Sequence, residues 1–302
     1  MEVGTSPQSP LSLNGVRIRR VATRRDLARF IDFQYAHYAD NPNWVPQLRM
    51  DIQKTLNPRK NPFFEHGKIE LFLAEDEHDQ VIGRIAGILN GMHLKKYADG
   101  NGFFGFFECV EDYGVAERLF DAAGAWLRAQ GLIGVRGPTN PSMNDISGLL
   151  VAGFDRQPSI MMPYNPRYYA VFLERYGFTR AMTMWAYYIN KKYLTIDKLH
   201  RGVNLVYRRN PSITLRKLDM AHFDRDAQIV LAIYNDAWSN NWGHVPMTPK
   251  EFAHLAKDLK QIVDPNIVFF LEDAGRPVAF SISLPNLNLA LQHTDGRLLP
   301  FG

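Results

Sequence analysis

Glu108 closes the apolar run FFGFFE, and a carboxylate set among aromatic rings resists ionisation, which suits a general base. Strand alternation would place it on one face with Phe104 and Phe106. The competing reading is a strand-end carboxylate that faces solvent or pairs with an arginine. Asn144 and Asp145 lie in a stretch rich in Pro, Gly, Asn and Ser, where such residues orient a polar group or cap a turn. Trp238, Asn241, Trp242 and His244 form a polar-aromatic loop able to close over a substrate, although a lone histidine is more often structural. No second histidine stands at ligand spacing, so no metal is expected. Cys109, the single cysteine, has no His or basic neighbour in sequence and is not expected to act as a nucleophile.

Strands and helices must position these groups. Residues 16–22 alternate apolar and charged as a half-buried strand, and Thr23 caps a helix from Arg24 to Tyr38 that NPNWVP terminates. LRMDIQKTL forms a short second helix. A hairpin follows (69–76 and 80–90), then an apolar strand (103–110) and a helix (115–131) closed by Gly131. LIGVRGP is a strand, followed by a loop of about 25 residues, long enough to be functional. A helix (167–178) and a final strand (182–190) complete the unit.

With 302 residues, the chain accommodates two domains, and 46% hydrophobic against 22% charged residues exclude a disordered chain. One cysteine excludes a disulfide framework and a multi-cysteine zinc site, and points to a reducing, cytoplasmic setting. No apolar run approaches the roughly 18–20 residues of a membrane span, and the N-terminal 1–15 reads as a loose tail without a signal pattern. Net charge is +4. Basic clusters at Arg17, Arg19, Arg20, Arg24 and Arg25, and at Arg208, Arg209, Arg216 and Lys217, accompany no nucleic-acid motif and read as solvated faces.

An internal repeat runs at an offset of about 200 residues. YAHYADNPNWVP (35–46) matches YNDAWSNNWGHVP (234–246), LAEDEHDQVIGRIAGIL (73–89) matches LEDAGRPVAFSISLP (271–285), and Asp99-Gly100 matches Asp295-Gly296. The expected division is a first domain over 16–196, a linker over 197–211, and an incomplete second domain over 212–302, as in a truncated longer protein.

The order of elements, with Asn165, Tyr169 and LERYGFTR (173–180), resembles the GNAT superfamily of acyl-CoA N-acyltransferases. NPNWVP, KNPFFEH, GRIAGILN, FFGFFE, GPTNPSMNDISGLLVAGFD, YNPRYY and NWGHVPMT resemble, more narrowly, a bacterial family of duplicated GNAT-like proteins of largely unassigned function. The resemblance implies an α/β fold: a twisted mixed sheet flanked by helices, with one complete unit and the front part of a second. It also implies direct attack of an amine, from a small molecule or lipid precursor, on the thioester of acetyl-CoA or a longer acyl-CoA. The diphosphate would lie on backbone amides at a helix N-terminus, here Gly114, Val115 and Ala116, beside the strand end at Cys109 and Val110. Glu111 and Asp112 depart from the basic or neutral pattern of the superfamily and oppose a diphosphate.

Relatives protonate the leaving thiolate with a helix tyrosine; Leu173 holds that position here and Tyr169 is the substitute. Asn144 and Asp145 would then cover the acceptor site, and Met143, Met161, Met162 and Phe154 would line an acyl channel or pack as core. The alternative is a non-catalytic GNAT-like binding or interaction module whose CoA site has decayed.

Overall fold

The computed structural model describes residues 15–194 and 196–298. In the first compact unit the order is β1 (Arg17–Arg20), α1 (Arg24–His37), α2 (Arg49–Thr55), β2 (Gly67–Glu75), β3 (Val81–Asn90), α3 (Gly91–Tyr97), β4 (Asn101–Cys109), α4 (Tyr113–Ala129), β5 (Gly134–Arg136), the short pair β6 (Thr139–Asn140) and β7 (Ile146–Ser147), and α5 (Tyr168–Tyr176). Thr23 opens α1 through a capping box with Asp26, and Gly177, at φ 105°, closes α5 in the left-handed conformation that glycine tolerates. Strands β1 to β5 form one sheet in chain order, antiparallel except for the parallel β4–β5 pair. This is the mixed α/β sheet flanked by helices that the GNAT-like resemblance implied.

Two cores sandwich the sheet. Phe104, Phe107, Cys109, Leu119, Trp126, Tyr169 and Phe172 pack beneath α4 and α5, whereas Phe30, Ile31, Tyr35, Ile52, Leu73, Ile88 and Phe106 pack beneath α1 and α2. A β-bulge assigns β4 residues to both: between the pairs Arg84↔Glu108 and Ala86↔Gly105 the strand carries an extra residue, and Phe106 adopts φ 49°. The simple alternation expected from FFGFFE therefore fails. Phe104 faces the α4 side, while Phe106 faces the α1 side.

Strands β4 and β5 pair over only three positions, from Asn101↔Gly134 to Phe103↔Arg136. Beyond Phe103 the sheet splays, and β6 approaches the freed edge of β4. Asn140 Oδ1 accepts the Phe106 N–H at 2.6 Å, and Gly105 lacks the Cβ that would overlap the Thr139 carbonyl.

The second compact unit, Arg180–Pro285, contains α6 (Ile196–Arg209), β8 (Ile213–Lys217), α7 (Phe223–Ala237), α8 (Pro249–Leu259), β9 (Val268–Asp273) and β10 (Arg276–Ile282). Its three strands form an antiparallel sheet over a core of Leu218, Phe223, Val230, Phe252, Val268 and Phe270. Arg216 reaches Asp226 at 2.7 Å and Glu272 at 2.6 Å. In the first unit Arg19 reaches Asp26 at 2.8 Å and Glu75 at 3.0 Å. Each arginine lies on the first strand, two residues beyond the one facing its glutamate, as the pairs Arg17↔Glu75 and Thr214↔Glu272 show.

Three expectations change. Residues 182–190 form no strand and join neither sheet; Trp185, Tyr187, Tyr188 and Ile189 are exposed. A strand needs a backbone partner, which apolar alternation alone does not supply. The segment 197–211, expected as a linker, is largely the helix α6. Residues 286–298, with the short α9 (Asn288–Leu291), belong to the first unit, because Arg49 N–H donates to Gly296 O at 2.9 Å and Asn288 Nδ2 donates to Pro158 O at 2.6 Å. Among the described residues no helix is long and apolar enough to cross a membrane.

Candidate active site

The C-terminal end of β4 meets the C-terminal end of α1 and the first turns of α5. Glu108 Oε2 accepts the phenol protons of Tyr38 at 2.6 Å and Tyr169 at 2.7 Å. Arg84, opposite Glu108 in the β3–β4 register, lies 3.9 Å away and is held by Phe30 O at 2.7 Å and Gln34 Oε1 at 2.9 Å. Burial raises the Glu108 carboxyl above its ordinary range, while the Arg84 charge and the two phenols act in the opposite direction. Burial lowers the affinity of Arg84 for its proton, and Glu108 opposes that loss.

Tyr169 accepts the Cys109 N–H at 2.7 Å, and Tyr168 donates to the Cys109 carbonyl at 2.7 Å. Both phenols also approach His37 Nε2, at 3.2 Å for Tyr169 and 3.4 Å for Tyr168. Burial and the Arg84 charge lower His37 to about 4, so the ring is neutral at physiological pH. Burial, followed by the Glu108 charge, holds the Tyr38 and Tyr169 phenols well above their usual range.

Glu108 and Tyr169 are thus in contact, but not as two groups facing a substrate. Tyr169 is 1% exposed and its hydroxyl is fully engaged; the Glu108 side chain is 13% exposed and already accepts two protons. His37 is half-buried, as are Tyr168 and Glu108. Sequence reasoning missed His37, Tyr38 and Arg84. The signal was the YAHY run just before the helix stop, which marks an aromatic, polar helix end beneath a loop.

The residues expected to hold a CoA diphosphate are largely engaged elsewhere. Val110 N–H donates to Ile82 O at 3.0 Å, Ala116 N–H to Asp112 O at 3.3 Å, and Gly114 N–H to the capping Asp112 Oδ1 at 2.7 Å. Val115 is fully buried. With Cys109 N–H on Tyr169, and Asp112 and Glu111 beside the helix start, this segment does not fit a diphosphate. The Cys109 thiol is buried, and burial pushes it well above its ordinary range.

Asp145 caps a turn, accepting from Ser142 Oγ at 2.7 Å, and Asn144 N–H donates to Ser142 Oγ at 3.1 Å. Met161 and Met162 are exposed, and Phe154 lies under the Arg167 guanidinium at 4.3 Å. Trp242 and His244 belong to the second unit, where His244 is buried against Tyr234 at 5.5 Å. Among the described residues no group of three or more His, Cys, Asp or Glu is arranged to hold a metal. A cavity of about 490 Å³ lined by Arg17, Arg19, Arg25 and Arg29 also contains Asp26, Glu75 and Asp79, which pair with most of those arginines.

No family model matches the chain. It is 38% identical over 285 residues to a bacterial ceramide synthase of Caulobacter vibrioides, covering 93% of this chain and 73% of that protein. It is 33% identical over 285 residues to protein YghO of Escherichia coli K12, covering 94% and 72%. Among solved structures, a tandem GNAT protein from the clavulanic acid biosynthesis pathway is 11% identical, with a TM-score of 0.48, over 88% of this chain and 73% of that one. An aminoglycoside acetyltransferase from a soil metagenome is 16% identical, with a TM-score of 0.36, over 59% and 97%. Likenesses this distant assign no substrate.

Proposed function

Because the chain belongs to the GNAT-like family of the bacterial ceramide synthase and YghO, we propose that it transfers an acyl group from a thioester to the amine of a small molecule or lipid precursor. The observation that carries this reading is the buried Glu108–Tyr169–His37 chain, which places a carboxylate, a phenol and a neutral imidazole in hydrogen-bond succession beside a splayed strand. In this reading Glu108 supplies the negative charge that steadies the cluster, and Tyr169 transmits it. The amine attacks the thioester carbonyl directly, and no covalent enzyme intermediate is required.

A sphingoid-type long-chain amine is the acceptor class that the ceramide synthase relative suggests. The α4 N-terminus is not the place where the donor's phosphates are held. A reducing, cytoplasmic setting is part of the proposal and is supported by the single buried thiol. We further infer that the two units descend from one duplicated unit, an inference supported by their matching Arg–Asp–Glu triads.

The test is turnover. The purified chain is incubated with acyl thioesters and long-chain amines, and amides are sought by mass spectrometry. Glu108→Gln is expected to lower the rate about 10²-fold or more while the protein remains folded. Failure to form any amide would refute the reading.

The acid-capped start of α4 favours a second reading, a non-catalytic module. That reading predicts a thermal shift with a thioester or nucleotide but no product.

A further inference from the structure

We propose that His37 is the residue that removes the proton from the attacking amine, through Nδ1. This rests on the acyl-transfer reading above and names the catalytic group within that site.

Counting protons leads there. A phenol has one proton to donate and two lone pairs that accept. The Tyr169 proton goes to Glu108 at 2.7 Å, and its oxygen takes the Cys109 N–H. The Tyr168 proton goes to the Cys109 carbonyl at 2.7 Å. Toward His37 Nε2 both phenols can therefore only accept, so Nε2 must carry the hydrogen. The neighbours thus set the tautomer. A neutral ring with Nε2–H leaves a lone pair on Nδ1, and the ring's hydrogen bonds to Tyr168 and Tyr169 both use Nε2 rather than that atom.

Orientation is fixed as well. The ring stacks on Phe33 at 5.3 Å, meets Tyr38 edge-on at 4.8 Å, and lies parallel to Tyr169 at 6.4 Å. The titratable and charged groups around it come from every packed element: Tyr38 from α1, Arg84 from β3, Glu108 from β4, and Tyr168 and Tyr169 from α5. Burial and Arg84 keep the ring unprotonated.

The chemistry balances. The amine nitrogen bonds to the thioester carbonyl carbon, and the carbonyl electron pair moves onto oxygen. The nitrogen, now positive and far more acidic than a free ammonium ion, loses its proton to Nδ1. The oxyanion collapses, the C–S bond breaks with its pair on sulfur, and the proton passes from Nδ1 to the thiolate. Amide and thiol result, and the neutral ring is restored. A ring this weakly basic does not deprotonate a free ammonium ion of pKa about 10, so the amine must arrive in its neutral form.

The test combines ring-nitrogen NMR of the wild-type chain with kinetics of His37→Gln and His37→Ala. Nε2 protonated, Nδ1 bare, and a ring neutral down to about pH 5 are expected, from the ring's value near 4. His37→Gln should lower kcat roughly 10²–10⁴-fold with little change in KM, and added imidazole should partly restore His37→Ala. A hydrogen on Nδ1 overturns the proposal whatever the activity. So does a His37→Gln variant that retains kcat within about threefold, well short of the loss expected for a missing base. Absence of turnover in the wild type instead removes the acyl-transfer reading, and this assignment with it. If His37→Gln does not fold, imidazole rescue and the wild-type NMR decide.

Discussion

Glu108 and Tyr169, 61 residues apart, share a 2.7 Å hydrogen bond in which the phenol donates to a carboxylate that also accepts from Tyr38. Glu108→Gln retains an oxygen that can accept both phenols, whereas Glu108→Ala strands the phenols and the buried Arg84 together. We expect Glu108→Ala to lose about 3–5 kcal/mol and Glu108→Gln distinctly less, measured by urea denaturation. Equal losses would show that the phenol bonds contribute nothing.

Removal of the Tyr169 hydroxyl leaves the buried Cys109 N–H without its acceptor. Tyr169→Phe should cost about 1–3 kcal/mol, with Tyr168→Phe costing less because that residue is half-buried. The reverse order in equilibrium unfolding would contradict this account of the cluster.

Two glycines make a matched pair. A methyl at Gly105 would drive into the Thr139 carbonyl and push β6 off β4, whereas at Gly124 it would meet only Arg128 Nη1 at 3.4 Å. Gly105→Ala should lower the melting temperature, and Gly124→Ala, inside α4, should raise stability by up to about 1 kcal/mol. Calorimetry of the two variants checks both signs.

Acid stability should fall in two windows. Burial and the Arg84 charge take His37 from 6.5 to about 4, so its contribution is present above pH 6.5 and is lost as pH falls through 4. Burial pushes the Glu75 carboxyl up, but hydrogen bonds from Arg19, Arg17 and Arg29 outweigh it and hold it at about 2, below its ordinary 4.5. That contribution is present above pH 4.5 and is lost as pH falls through 2. His37→Gln should flatten the upper slope of unfolding free energy against pH, and Glu75→Gln the lower one. Unchanged slopes in both variants would remove the linkage.

Most elements were legible from the chain because their signals are local. Thr23 with Asp26, the apolar stripe of α4, Gly131, and Gly177 after α5 mark starts and stops within one or two turns. Glu108 and Tyr169 were likewise visible as residue types, one ending an apolar strand and the other opening a helix. Their contact was not visible, nor was His37, since hydrogen bonds across 61 and 132 positions leave no periodic trace.

By itself, then, the sequence determined most of the helices and strands, their order, and the family of the chain, because capping and hydrophobic periodicity act over a few residues. Tertiary structure alone decided the rest. The bulge at Phe106 turned Glu108 away from Phe104 and toward Arg84, and residues 182–190 remained outside both sheets. Residues 286–298 joined the first unit. The reason is that a backbone donor, a buried carboxylate or an imidazole takes its state from whichever partner packing brings within about 3 Å, and packing joins residues that lie far apart along the chain.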